Sequence, residues 1–289
     1  MRLEDENESH NVEDRRGGGG RRAGGIGIGT IAIALVVSYF TGIDPRTLLG
    51  VAETFQNSQG GSVEQARPVD PANDPQAAMK SEMAKVLRKT ETSWDAIFTQ
   101  MGGTYVQPRL VLFRGQTATA CGTGQAAMGP FYCPADSRVY LDMGFFDEMA
   151  ERFRAGGDFA RAYVIAHEIG HHVQNLLGVS EQTQRLRQRL SEVDYNKVSV
   201  RVELQADCFA GVWAQHANRV KPFLDPEDID EALRAANAIG DDMLQKQSRG
   251  VVVPDSFTHG SSAQRVRWFK TGYEGGSVKT CDTFKTRDL

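Results

Sequence analysis

Residues 158–177 read D-F-A-R-A-Y-V-I-A-H-E-I-G-H-H-V-Q-N-L-L, and this stretch decides the fold. Phe159, Ala162, Tyr163, Ala166, Val173 and Leu177 recur at spacings of three and four, the buried stripe of a helix. Asp158 suits the N-cap and Gly178 the C-terminal stop. Inside the run sits His167-Glu168-Ile169-Gly170-His171. Residues four apart share one helix face, about 6 Å apart along the axis. Both imidazoles can therefore reach one metal ion, and Glu168, one step round, can touch a water on that ion. Half of the chain's 6 histidines fall in this helix, which argues against chance. Gly170 costs a helix about 1 kcal/mol relative to Ala, a cost explained if something must approach the backbone closely. His172 points away from the His167/His171 face and reads either as packing or as a support behind the metal-facing residues.

A catalytic zinc takes three protein ligands and keeps a fourth position for water. Downstream, V-E-L-Q-A-D-C-F-A-G (202–211) also reads as helix, with Val202, Phe209, Val212 and Trp213 apolar. Glu203 and Asp207 lie four apart in this largely apolar segment, and buried unpaired charge is costly. A shared metal site would supply the partner. Glu203 is thus assigned as third ligand. Asp207 would accept a hydrogen bond from the free ring nitrogen of a ligand histidine. The alternative is a solvent-facing Glu/Asp pair.

H-E-x-x-H followed on a second helix by E-x-x-A-D resembles the HtpX-like zinc peptidases, whose third ligand is Glu. A fuller likeness runs through M-R-L-E-D (1–5), N-V-E-D-R-R-G (11–17), G-P-F-Y-C-P (129–134), H-E-I-G-H-H-V-Q (167–174), E-L-Q-A-D-C (203–208) and H-G-S (259–261). On these segments the chain is identified as a member of the neutral zinc metallopeptidase family of YpfJ type. The resemblance implies Zn²⁺ and peptide hydrolysis, and says little about substrate.

Residues 24–43 (G-G-I-G-I-G-T-I-A-I-A-L-V-V-S-Y-F-T-G-I) contain no charge and reach roughly 30 Å as a helix, enough to span a bilayer core. Arg15, Arg16, Arg21 and Arg22 precede them with no acid between. The positive-inside rule then places the N-terminus in the cytoplasm and the body of the chain outside the inner membrane, in the periplasm. A cleaved signal peptide is the rival, but Ser38-Tyr39-Phe40 is a poor cleavage site. The 4 cysteines suit an exported compartment. Local pairing suggests Cys121–Cys133 and Cys208–Cys281, though four cysteines allow three connectivities.

The expected organisation is a tail (1–23), a transmembrane anchor (24–43), a linker rich in Gly, Ser and Pro (44–75), and a metallopeptidase domain (76–289). The net charge of −4 and the absence of a basic stripe beyond the tail argue against nucleic acid. The domain opens at Asp74-Pro75 with a helical stripe of Met79, Met83, Val86, Leu87, Trp94, Ile97 and Phe98. Strands are predicted over 109–114 and 138–142, and helices over 144–154, 158–177, 180–194, around Glu203, and from Asp225 to about Gln247. Ser261-Ser262-Ala263-Gln264 is a capping box for a last helix. The predicted class is α+β, mostly helical: a zincin-like domain with a small antiparallel sheet, preceded by one N-terminal transmembrane helix. Val139–Leu141 is the candidate edge for a peptide or protein substrate, with the 128–132 segment beside it.

In the implied mechanism His167, His171 and Glu203 hold the zinc and Glu168 is the general base. His259, placed before a capped helix as a His is in HtpX-like enzymes, is the candidate oxyanion donor. Tyr273, Tyr132 and Arg265 are runners-up. His216 reads as a helix-surface residue, and His10 lies in the tail. Two other functions compete: a silent zinc domain organising envelope partners, and an amide hydrolase acting on cell-wall peptides. Oligomeric state is not readable.

Overall fold

The computed structural model describes residues 1–17, 69–125 and 129–289. Met1–Arg15 and Asp70–Leu289 form one compact unit. In chain order it contains β1 (Val12–Asp14), α1 (Ala77–Gln100), β2 (Arg109–Phe113), β3 (Gln116–Thr119), β4 (Gly122–Gln125), β5 (Phe131–Cys133) and β6 (Arg138–Asp142). The rest is helical: α2 (Gly144–Phe153), α3 (Asp158–Leu176), α4 (Val179–Arg187), α5 (Glu192–Val220), α6 (Asp228–Ala238), α7 (Asp241–Arg249) and α8 (Ser262–Gly275).

The expected mostly helical α+β class holds, but the sheet is mixed. Its order is β1-β2-β6-β5. β1 and β6 both run parallel to β2, and β5 is antiparallel to β6. Only the separate β3–β4 hairpin is purely antiparallel. Alternation along β2 and β6 sends Leu110, Leu112, Val139 and Leu141 into the main core with the helices. Val111, Phe113 and Tyr140 face the other way, where Cys133 and Phe131 cover them. Both expected disulfides, Cys121–Cys133 and Cys208–Cys281, are present.

Among the described residues no helix is long and apolar enough to cross a membrane, and the expected anchor at 24–43 lies outside the described residues. This corrects the N-terminal transmembrane helix and the inner-membrane location. The sheet supplies the physical reason against the expected topology. Val12 is in register with Leu110 and Asp14 with Leu112, and Leu3 is buried in the main core. A cytoplasmic N-terminus and a periplasmic domain would put a bilayer through that ladder.

The α3 boundaries follow the spacing closely. Gly178 takes the left-handed conformation just past its end (φ 78°). The N-cap is Gly157 rather than Asp158. In the first turn Phe159 N–H donates to Glu231 Oε2 of α6 at 3.0 Å. The predicted long helix beyond Asp225 breaks at Gly240 into α6 and α7. The capping box at Ser261 is present with both bonds.

Gly170 has the packing reason its cost demanded. A Cβ there would lie 2.8 Å from the Ala206 carbonyl oxygen and 3.0 Å from Ala206 Cα, so α5 passes directly against α3 at the motif. Gly170→Ala is expected to push the helices apart and destabilise the fold by about 1–3 kcal/mol despite its better helix propensity. A denaturant melt checks this; unchanged or increased stability would show that the crossing yields freely.

Candidate metal centre

The α3–α5 crossing brings two faces together. From α3 come His167 and His171, from α5 Glu203 and Asp207. His167 Nε2 lies 3.2 Å from Glu203 Oε2, and His171 Nε2 lies 3.5 Å from Glu203 Oε1. One donor atom from each of the three residues falls within 4.8 Å of the others. Tetrahedral zinc with bonds of 2.0–2.2 Å has donor–donor edges of about 3.3–3.6 Å. The donor set therefore fits a divalent ion in both chemistry and spacing. Glu168 is buried beside the trio at 7 % exposure, close enough for its charge to raise the His171 pKa.

Behind His167 lies a buried charge network. Nδ1–H of His167 donates to Asp207 Oδ1 at 2.8 Å, which leaves Nε2 for the metal side. The same oxygen accepts from Tyr163 O–H at 2.6 Å and Arg265 Nη2 at 3.0 Å, while Oδ2 accepts from Arg265 Nε at 2.9 Å. Arg265 Nη2 also stands 3.3 Å from His167 Nδ1, but both are then donors, so this is only a close approach. Burial would raise the Asp207 pKa, yet Arg265 and then His167 bring it down to about 2.

The sequence-predicted oxyanion candidates separate cleanly. His259 is drawn to the site: its ring is exposed, and its pKa is raised, most strongly by the charge of Glu203. Asp241 Oδ2 accepts the backbone N–H groups of Thr258, His259 and Gly260 at 2.7, 2.6 and 3.0 Å and so clamps the loop. His259 Nδ1 faces Thr258 Oγ1 (3.0 Å) and Asp241 Oδ1 (3.3 Å), which leaves Nε2 available. Arg265 is not available; it is 2 % exposed and committed to Asp207. Tyr132 is committed too. Its O–H donates to His172 Nδ1 at 2.9 Å and its oxygen accepts from Asn175 at 3.1 Å.

His172 donates from Nε2 to the Val106 carbonyl, in the loop before β2, at 2.6 Å and accepts from Tyr132 of β5, so it is a polar bolt from α3 to that loop and to β5 as well as packing. Tyr273 stacks on Phe269 in the core. His216 is buried at 5 %, not on the surface as expected. His10 is exposed.

The expected substrate edge also needs correcting. β6, with Val139–Leu141, is interior, paired with β2 and β5. β5 is the edge strand on this side of the sheet, and it packs against α3. Met128 lies outside the described residues.

Burial lowers the His171 pKa, but Glu203 outweighs it and raises the value to about 9. The His167 pKa is likewise raised: burial opposes, and Asp207 and Glu203 prevail. Below about pH 9 a proton thus competes with a metal ion for His171. Binding near neutrality is expected to release about one proton or more per ion, and affinity is expected to fall as pH falls. Calorimetry in buffers of different ionisation heat reads the proton count; zero release would refute the coupling.

A family model described as "Putative neutral zinc metallopeptidase" matches residues 1–284. YpfJ of Escherichia coli (strain K12) is 48 % identical over 294 residues, spanning 98 % of this chain and 99 % of that protein. Rv2575 of Mycobacterium tuberculosis (strain ATCC 25618 / H37Rv) is 46 % identical over 210 residues, spanning 69 % of this chain and 70 % of that protein. No solved structure matches the chain.

Proposed function

Because this chain belongs to the neutral zinc metallopeptidase family, we propose that it is a zinc-dependent endopeptidase. In this reading His167, His171 and Glu203 are the zinc ligands and Glu168 is the general base. The observation that carries it is the pair of 3.2 and 3.5 Å approaches from the two histidine Nε2 atoms to the two oxygens of Glu203, with Glu168 beside them. Bound zinc would supply Lewis acidity and a water of lowered pKa. Glu168 would take that water's proton and return it to the leaving amine. Asp207 and Arg265 would keep the His167 ring turned toward the ion. Nε2–H of His259 would donate to the developing oxyanion. The outer edge of β5, the edge strand among the described residues, would align an extended peptide through backbone hydrogen bonds.

The test uses the full chain, loaded with zinc and incubated with a mixed peptide library, with cleavage read by mass spectrometry. Cuts that disappear on chelation, return with zinc and are absent from Glu203→Ala would support the reading. One zinc bound per chain without cuts would favour a silent zinc domain. No zinc at all would overturn the assignment.

A further inference from the structure

Two buried amides that this mechanism does not use lie behind His171. Gln174, on the same helix, is 1 % exposed, and Gln205 of α5 is 8 % exposed. Gln205 Nε2 donates to the Cys281 carbonyl at 3.0 Å, so its Oε1 faces Gln174 Nε2 at 3.2 Å. Gln174 Nε2 also donates to the Val202 carbonyl at 2.7 Å. Gln174 Oε1 is thereby left facing His171 Nδ1 at 2.9 Å.

The direction of this chain is forced. Both terminal groups are backbone carbonyls and can only accept. Flipping the Gln174 amide would set its oxygen against the Val202 oxygen and the Gln205 oxygen together. Two bonds from α5 therefore hold it in one orientation. An amide oxygen at Nδ1 requires a proton there, and which ring nitrogen binds a metal is set by the hydrogen bond that the other makes.

We infer that Gln174, oriented by Val202 and Gln205, is a positioning residue that keeps the proton of His171 on Nδ1 and turns Nε2 toward Glu203 and the metal. This rests on the metal-centre reading for its consequence. The relay ends at Cys281, whose disulfide to Cys208 fixes it to the same helix as Gln205. The C-terminal segment thus takes part in setting the geometry of a ligand that it never touches.

The experiment compares zinc affinity of the full chain, by chelator competition, for wild type, His171→Ala, Gln174→Met and Gln205→Met. Thermal melts confirm that each variant folds. Gln174→Met is expected to weaken zinc about ten- to hundredfold, and Gln205→Met, which keeps the Val202 anchor, about tenfold. In zinc-loaded wild type the His171 Nδ1 proton is expected as a slowly exchanging signal in ¹H–¹⁵N spectra that exchanges fast in Gln174→Met. A purely structural role would leave that signal unmoved. If His171→Ala loses zinc but both glutamine variants bind within about twofold of wild type, the relay is wrong and the metal centre stands. If wild type binds no zinc, the metal centre falls first and the relay with it. Should Gln174→Met fail to fold, Gln205→Met carries the same comparison.

Discussion

Glu168→Gln is expected to slow peptide cleavage by about 10²–10⁴-fold and to leave the metal in place. The substitution keeps the size and helical position of the side chain and removes its ability to take a proton. Glu168 sits at 7 % exposure one step round the helix from His167, where a bulkier or shorter replacement would disturb packing as well as chemistry. None of the Nε2–Glu203 approaches involves it, so zinc content should stay at the wild-type level. The decisive comparison is kcat/KM alongside metal content of the same sample. Loss of rate with metal retained assigns the base. Undiminished rate would move the base elsewhere, and lost metal would make Glu168 part of the ligand set.

Arg265→Met should be the most damaging change that touches neither the metal nor the substrate. Asp207 is 0 % exposed and carries its charge only because Arg265, His167 and Tyr163 surround it. Removing the guanidinium strands a buried carboxylate, which costs about 3–5 kcal/mol. For a domain of this size that is a melting-point drop of about 6–20 °C. The pH dependence gives an independent check. In the folded wild type the Asp207 pKa is lowered from 3.8 to about 2, so the stability it brings is present above the unfolded value and is lost as pH falls through about 2. In Arg265→Met the buried carboxyl has its pKa raised, so acid relieves the variant. The gap between the two melts should narrow toward low pH, and Asp207→Asn added to Arg265→Met should restore part of the loss. A constant gap across pH would mean that Arg265 acts through packing alone.

Much of the candidate site's geometry was legible because it is local. His167, Glu168 and His171 share one helix turn, and Glu203 and Asp207 share another, so spacing alone put them on common faces. Gly170 announced the helix crossing through its own helix cost. What sequence misses is which groups meet across distance. Arg265 and Tyr132 looked like available donors, since nothing local says that one is committed to Asp207 and the other to His172. Gln174 did carry a signal, three residues after His171 and so on its face, but its orientation depends on Val202 and Gln205 from another helix. β1 was illegible for a different reason. Its three residues sit among charges, and Arg15 read as a topology signal, whereas it pairs with Glu13 at 2.7 Å and lies over the Tyr140 ring.

β1 also governs how the chain behaves when it is cut or while it is being made. Past Arg109 the strand it covers, L-V-L-F, is apolar, β-branched in part and free of proline, a composition prone to self-association when bared. A fragment starting at Asp74 would keep every metal-centre residue and still present that naked strand to its neighbours. Such a fragment should precipitate where the full chain does not. On the ribosome Val12 emerges well before Leu110 and cannot find its place until that strand has followed it.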